Sequence, residues 1–118
     1  MTPSVLIVDD HARFRRTARR ALEREGWTIA GEAADGPEAL RAARALEPDL
    51  VLVDVGLRGM SGLEVARRLR GAMPRLVVVV ISTHDSAEYQ DLALASGARG
   101  FLPKAELTGA ALDALLAG

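Results

Sequence analysis

Three short runs, Val5 to Val8, Leu50 to Val53 and Leu76 to Ile81, are almost wholly aliphatic and rich in β-branched residues, and nothing else in the chain restricts its fold as strongly. A strand that alternates apolar and polar residues can face water on one side. A strand without that alternation must be covered on both faces, as in a parallel sheet with helices above and below. Helix-period segments separate the runs, so strands and helices alternate along the chain and each connection is a crossover. Two weaker strand candidates, Thr28 to Ala33 and Gly100 to Leu102, are shorter or partly polar and are expected at or near the sheet edges. The reading is an α/β fold with five parallel strands flanked by five helices.

In the first helix Phe14, Ala18, Ala21, Leu22 and Glu25 share a helical spacing, while Arg13, Arg15, Arg16, Arg19, Arg20 and Arg24 occupy the remaining arc. That arc is read as a solvated face, with docking of an acidic partner surface as the functional alternative. Gly26 is the expected stop. Asp35-Gly36-Pro37 opens a second helix that runs through Leu46, with Pro48 beyond it. Ser61 is read as the cap of a third helix to about Arg70, broken by Gly71 and Pro74, and Ser86 as the cap of a fourth from Ala87 to Ser96, stopped by Gly97. The last helix is expected from Leu107 to Ala117, and Tyr89 on the fourth is read as a surface residue.

Composition narrows the function. A chain of 118 residues with 49% apolar side chains can bury a single core, so residues 1–118 are read as one domain. Fifteen basic against sixteen acidic residues give a net charge of −1, without the positive excess that nucleic-acid binding draws on. The absence of cysteine excludes disulfides and thiolate metal sites. No apolar stretch approaches the roughly 18 residues of a membrane span, and Met1-Thr2-Pro3 lacks the basic start of a secretory signal, so a cytoplasmic protein without a membrane partner is expected.

In an open parallel sheet, ligands bind beyond the carboxyl ends of the strands, where the strand order reverses. The residues expected there are Asp9 and Asp10 after the first strand, Asp54 after the third, Ser82 and Thr83 after the fourth, and Lys104 after the fifth. Singly, each has an ordinary explanation as a turn or surface residue. Together they bring three carboxylates, a hydroxyl and an ammonium to one edge. Clustered carboxylates repel one another unless a cation sits among them, and an all-oxygen donor set suits Mg²⁺. Metal, lysine and hydroxyl together fit phosphate chemistry, in which a carboxylate can be the nucleophile. Asp54, alone after the central strand, is the candidate. Lys104 is the only lysine among the fifteen basic residues, the other fourteen being arginine, consistent with a need there for a compact point charge.

The segments Val5-Leu-Ile-Val-Asp-Asp-His11, Pro48-Asp-Leu-Val-Leu-Val-Asp54, Gly59-Met-Ser-Gly-Leu-Glu64, Val80-Ile-Ser82 and Gly97-Ala-Arg-Gly-Phe-Leu-Pro-Lys104 resemble the receiver domain of bacterial two-component response regulators, the CheY-like superfamily, across essentially the whole chain. The intervals of 44, 28 and 22 residues linking Asp10, Asp54, Ser82 and Lys104 are similar to that family's. The resemblance implies a flavodoxin-like, doubly wound sheet of order 2-1-3-4-5. It also implies a phosphorelay switch, not a turnover enzyme, with Asp54 as phosphoacceptor for a sensor histidine kinase. Mg²⁺ would be held by Asp9, Asp10, Asp54 and the backbone carbonyl of Gly56. Ser82 and Lys104 would contact the phosphoryl group, and Phe101 would turn inward on phosphorylation, repacking the face of the fourth helix, fifth strand and fifth helix.

Three positions depart from the common pattern or tune it: Arg58 stands where proline is frequent, while Gly56 and His84 occupy places associated with the rate of dephosphorylation. Asp-Asp-His, Gly-Met-Ser-Gly-Leu-Glu and His84-Asp85 with Glu88-Tyr89 most resemble the NarL/FixJ subgroup. Its full-length members usually carry a C-terminal helix-turn-helix domain that binds promoters. DNA contact and transcriptional output would then belong to a longer parent chain, and a phosphorylation-dependent homodimer is implied by the family. Two other readings stand beside this one: a phosphorylation-independent binding module, and an Asp-nucleophile phosphatase of the haloacid-dehalogenase type. The second expects Asp-x-Asp, whereas Asp54-Val55-Gly56 has no second carboxylate.

Overall fold

The structure is a computed structural model and describes residues 2–84 and 87–118. In chain order the elements are β1 (Ser4–Val8), α1 (Ala12–Arg24), β2 (Thr28–Ala33), α2 (Gly36–Leu46), β3 (Leu50–Asp54), α3 (Gly62–Ala72), β4 (Val77–Ser82), α4 (Ala87–Ala95), β5 (Gly100–Pro103) and, after a 3₁₀ turn at Lys104–Glu106, α5 (Gly109–Ala117). The strands form one parallel sheet of order β2-β1-β3-β4-β5, with the reversal between β1 and β3. The two weaker strands of the sequence are the two edges. β3 and β4 are buried at every residue, as their lack of alternation requires.

The side-chain period of two divides the sheet between two cores. Leu6, Val8, Val51, Val53, Val78, Val80 and Phe101 face α2, α3 and α4 through Ala39, Ala43, Val65, Ala66, Leu69 and Ala93. Val5, Ile7, Leu50, Leu52, Val77, Val79 and Ile81 face α1 and α5 through Ala18, Leu22 and Leu112. Each helix start described has a local cause where a side chain caps it: Asp35 accepts from the Glu38 N–H, Ser61 from Glu64 and Thr108 from Ala111.

Several boundaries differ from the sequence reading. Asp54 and Ser82 are the last residues of β3 and β4 and lie inside the ladder, where Asp54 registers with Ile81 and Ser82 with Pro103. α3 continues through Gly71 to Ala72, because an exposed helical glycine costs only about 1 kcal/mol relative to alanine and the break comes at Met73 and Pro74. α5 starts at Gly109, since Leu107 is extended and Thr108 caps the helix. Ser86, the expected cap of α4, lies outside the described residues. The arginine arc of α1 is also divided. Arg15 and Arg19 turn toward the β2 edge and bind the two oxygens of Glu32, at 3.1 and 2.8 Å, leaving the other arginines on the solvated side.

Candidate functional site

The site is assembled at the carboxyl end of the sheet by main-chain contacts between elements far apart in sequence. The Asp9 N–H donates to the Ala33 carbonyl at 3.0 Å, and the Arg15 guanidinium donates to the Asp9 carbonyl at 2.5 Å while its Nε holds Glu32. Burial pushes the Glu32 carboxyl upward, but hydrogen bonds and charge from Arg19 and Arg15 prevail and hold it below the usual carboxylate range. The segment leaving β1 is therefore tied to β2 and to α1. On the β3 side, Val55 N–H donates to the Ile81 carbonyl at 2.9 Å and Gly62 N–H to the Val55 carbonyl at 3.0 Å. Gly62 approaches so closely that a Cβ there would collide with the backbone of Asp54 and Val55.

These supports bring Asp9, Asp10, Asp54 and Lys104 together. Asp9 is fully buried and Asp54 is 6% exposed. The Lys104 Nζ lies 2.6 Å from Asp9 Oδ2 and 3.5 Å from Asp54 Oδ1, linking the ends of β1, β3 and β5. The Asp54 carboxyl is raised above its ordinary range: burial is the largest cause, the Lys104 charge opposes it, and the Asp9 and Asp10 charges reinforce it. His11 joins the cluster, which the sequence reading did not foresee. Its backbone N–H donates to Asp9 Oδ1 at 2.8 Å, and its Nδ1 lies 3.1 Å from Asp9 Oδ1 and 3.1 Å from Asp10 Oδ1.

The donor set fits a hard divalent cation. Asp9 Oδ2 and Asp10 Oδ1 are buried and accept no hydrogen bond of proper geometry, although Lys104 and His11 stand near them. Lys104 neutralises part of the charge of this buried cluster, the lone pairs left without hydrogen bonds remain available to a cation, and oxygen donors of this kind are what Mg²⁺ takes. Gly56 is open on the side that matters: a Cβ there would stand 3.5 Å from Asp54 Oδ2. Arg58 is largely exposed, with its Nε 3.8 Å from Asp10 Oδ2, a loose surface pair.

Ser82 is buried at the end of β4, and its Oγ accepts the His84 N–H at 3.1 Å, while the His84 side chain turns to Thr83 Oγ1 at 3.2 Å. Phe101 registers with Val80 on the α2–α3–α4 side of the sheet. It is 2% exposed, its ring packed into that core. Tyr89 is half-buried against it, ring centroids 5.6 Å apart, which corrects its reading as a surface residue: α4 packs on β5, and Gln90 Nε2 donates to the Phe101 carbonyl at 3.1 Å.

A sequence model of the family described as response regulator receiver domain matches residues 5–115. The response regulator GacA of Pseudomonas aeruginosa is 38% identical over 101 residues, covering 85% of this chain and 47% of that protein. The chain spans about half the length of the curated relatives it matches. Among solved structures, a LuxR-family two-component response regulator from Aurantimonas aligns with a TM-score of 0.93 at 34% identity, covering 100% of this chain and 87% of that one. The signal receiver domain of a Mycobacterium tuberculosis response regulator assigned the name NarL aligns with a TM-score of 0.87 at 38% identity, covering 97% and 96%.

Proposed function

The chain belongs to the response regulator receiver domain family of two-component systems, and from that premise we propose that Asp54 accepts a phosphoryl group from the phosphohistidine of a sensor histidine kinase. The observation that carries this reading is the buried Asp54 carboxylate 3.5 Å from the only lysine of the chain, whose ammonium also meets Asp9. An Asp54 oxygen attacks phosphorus as the P–N bond to the imidazole breaks. Lys104 neutralises charge on the transferring oxygens, and Ser82, at the adjoining strand end, donates its hydroxyl to the phosphoryl group. Asp9, Asp10, Asp54 and the Gly56 carbonyl are the groups assigned to Mg²⁺, which supplies further charge neutralisation when bound. The protein is then a switch that modifies itself, not a turnover enzyme.

No helix among the described residues is long and apolar enough to cross a membrane, and we assign the protein to the cytoplasm, where sensor kinases present their phosphohistidine. The longer relatives include a transcriptional regulator and the response regulator GacA of Pseudomonas aeruginosa, so we assign DNA binding to a C-terminal helix-turn-helix domain of a parent chain and dimerisation to its phosphorylated form. The buried Phe101 favours one second reading, a binding module that works without phosphate.

Labelling from phosphoramidate separates the two. Wild type is expected to incorporate phosphate with Mg²⁺ and not with chelator, and to bind beryllofluoride under the same conditions. Failure in both assays would leave the phosphate-independent module as the function. Gly56 sets a second expectation. Because its missing side chain leaves Asp54 Oδ2 open, water reaches the phosphoryl group on that side, and Gly56→Asn should lengthen the phosphate half-life several-fold. An unchanged half-life would exclude that route for water.

A further inference from the structure

The Lys104 ammonium lies 4.2 Å from the centroid of the Phe14 ring, a contact that none of the roles above uses. We propose that Phe14 is the positioning residue of Lys104, its ring face holding the ammonium at the edge shared by Asp9 and Asp54. The proposal rests on the reading of Asp54 as phosphoacceptor.

A lysine head on four methylenes carries large rotamer freedom and a strong hydration shell. Here the side chain is only 12% exposed, and its nitrogen has two carboxylates, Asp9 at 2.6 Å and Asp54 at 3.5 Å. Those contacts come from the ends of β1 and β3, and neither comes from α1. Phe14 does. Its negative ring face takes the place of lost water around the ammonium and blocks retreat toward α1. α1 is itself anchored at the site, because Arg15, the next residue, binds the Asp9 carbonyl. The ring therefore moves with the acidic pair and keeps Lys104 in register with it. A planar guanidinium would stack on the ring and spread its donors differently, which fits the sole lysine standing at this position.

Phe14 also packs against the α1–α5 core, a role that leucine would fill, so the test must read electrostatics and position separately from packing. Because Lys104 is the only lysine, ¹³C-labelled lysine gives a single side-chain ε signal by NMR. Its ε protons are expected upfield in wild type, shifted by the ring current, and at ordinary values in Phe14→Leu. In parallel, labelling from phosphoramidate with Mg²⁺ is expected to slow about tenfold in Phe14→Leu. It should decline stepwise as site-specific fluorination of Phe14 weakens the ring face at nearly constant volume, and Phe14→Trp should preserve the rate. An ordinary lysine signal in wild type, or equal rates across the fluorinated series and Phe14→Leu, would overturn the proposal. Wild type that neither takes phosphate nor binds beryllofluoride would instead sink the phosphoacceptor reading, and the lysine signal would still decide whether the ring holds the ammonium.

Discussion

Asp54→Asn is expected to abolish phosphate incorporation and, in metal-free buffer at neutral pH, to raise the melting temperature by a few degrees. The first effect follows from chemistry, since an amide in place of the carboxylate offers no anionic oxygen for attack on phosphorus. The second follows from the environment of the group. Burial, helped by Asp9 and Asp10 and opposed by Lys104, raises the Asp54 carboxyl in the folded chain. An acid raised in this way binds its proton more tightly folded than unfolded, so its ionised form weakens the fold. Its favourable contribution is complete below the ordinary carboxylate range and is lost as pH rises through the raised value. Above the raised value wild type bears the full penalty, and Asn bears none at any pH. The difference in melting temperature should shrink as pH falls toward the ordinary carboxylate range, and also when Mg²⁺ is added to wild type. Phosphoramidate labelling and thermal melts across pH read both parts. Residual labelling of the variant would move the acceptor elsewhere, and a variant less stable than wild type would show that Lys104 outweighs burial.

Gly62→Ala should be the most damaging single-methyl change at the site. The added Cβ meets the carbonyl oxygen and carbon of Asp54, the buried last residue of β3, and the Cα of Val55 just beyond it, backbone atoms that cannot rotate away as a side chain could. Overpacking of this kind costs typically 1–3 kcal/mol. A loss of about 2 kcal/mol should lower the melting temperature by roughly 5–10 °C. The strand end can relieve the collision only by moving Asp54, so labelling of the folded fraction should fall as well. Gly71→Ala is the internal control. Gly71 lies in the same helix, is exposed, and a Cβ there would have nothing within 4 Å, so alanine should stabilise by about 0.5–1 kcal/mol. Equal behaviour of the two variants in thermal melts would show that the close approach at Gly62 has no energetic weight.

The parts of this molecule that a linear reading reached are those whose cause is linear. Strands covered on both faces must lack alternation, and β3 and β4 do, so the layered sheet and its two edges were legible in the aliphatic runs. The edge that collects Asp9, Asp10, Asp54, Ser82 and Lys104 followed from the crossovers, because every strand in a parallel sheet ends on the same side. What periodicity could not supply was the pairing of side chains from elements distant in sequence. Arg15 and Arg19 have the spacing of a solvated arc, and only the position of β2 beside α1 gives them Glu32 as partner. Phe14 has the spacing of a core residue and packs as one, but its contact with Lys104 pairs α1 with the 3₁₀ turn after β5, elements far apart in sequence. The close approach at Gly62 left no mark beyond a glycine within a helix start. His11 showed only as the neighbour of two aspartates.

The buried ring of Phe101 bears on how much signal such a domain can transmit. A modification shifts an equilibrium only by the difference in its affinity for the two arrangements, and it gains nothing by favouring one already dominant. With Phe101 2% exposed and the Tyr89 ring tilted against it, the switch proposed above would find little contrast left in that side chain. The contrast would then lie with the Ser82 hydroxyl or with the association of two copies. If neither holds it, a partner that reads the ring position would find the unmodified protein already competent, and the output would have a high floor and a narrow span.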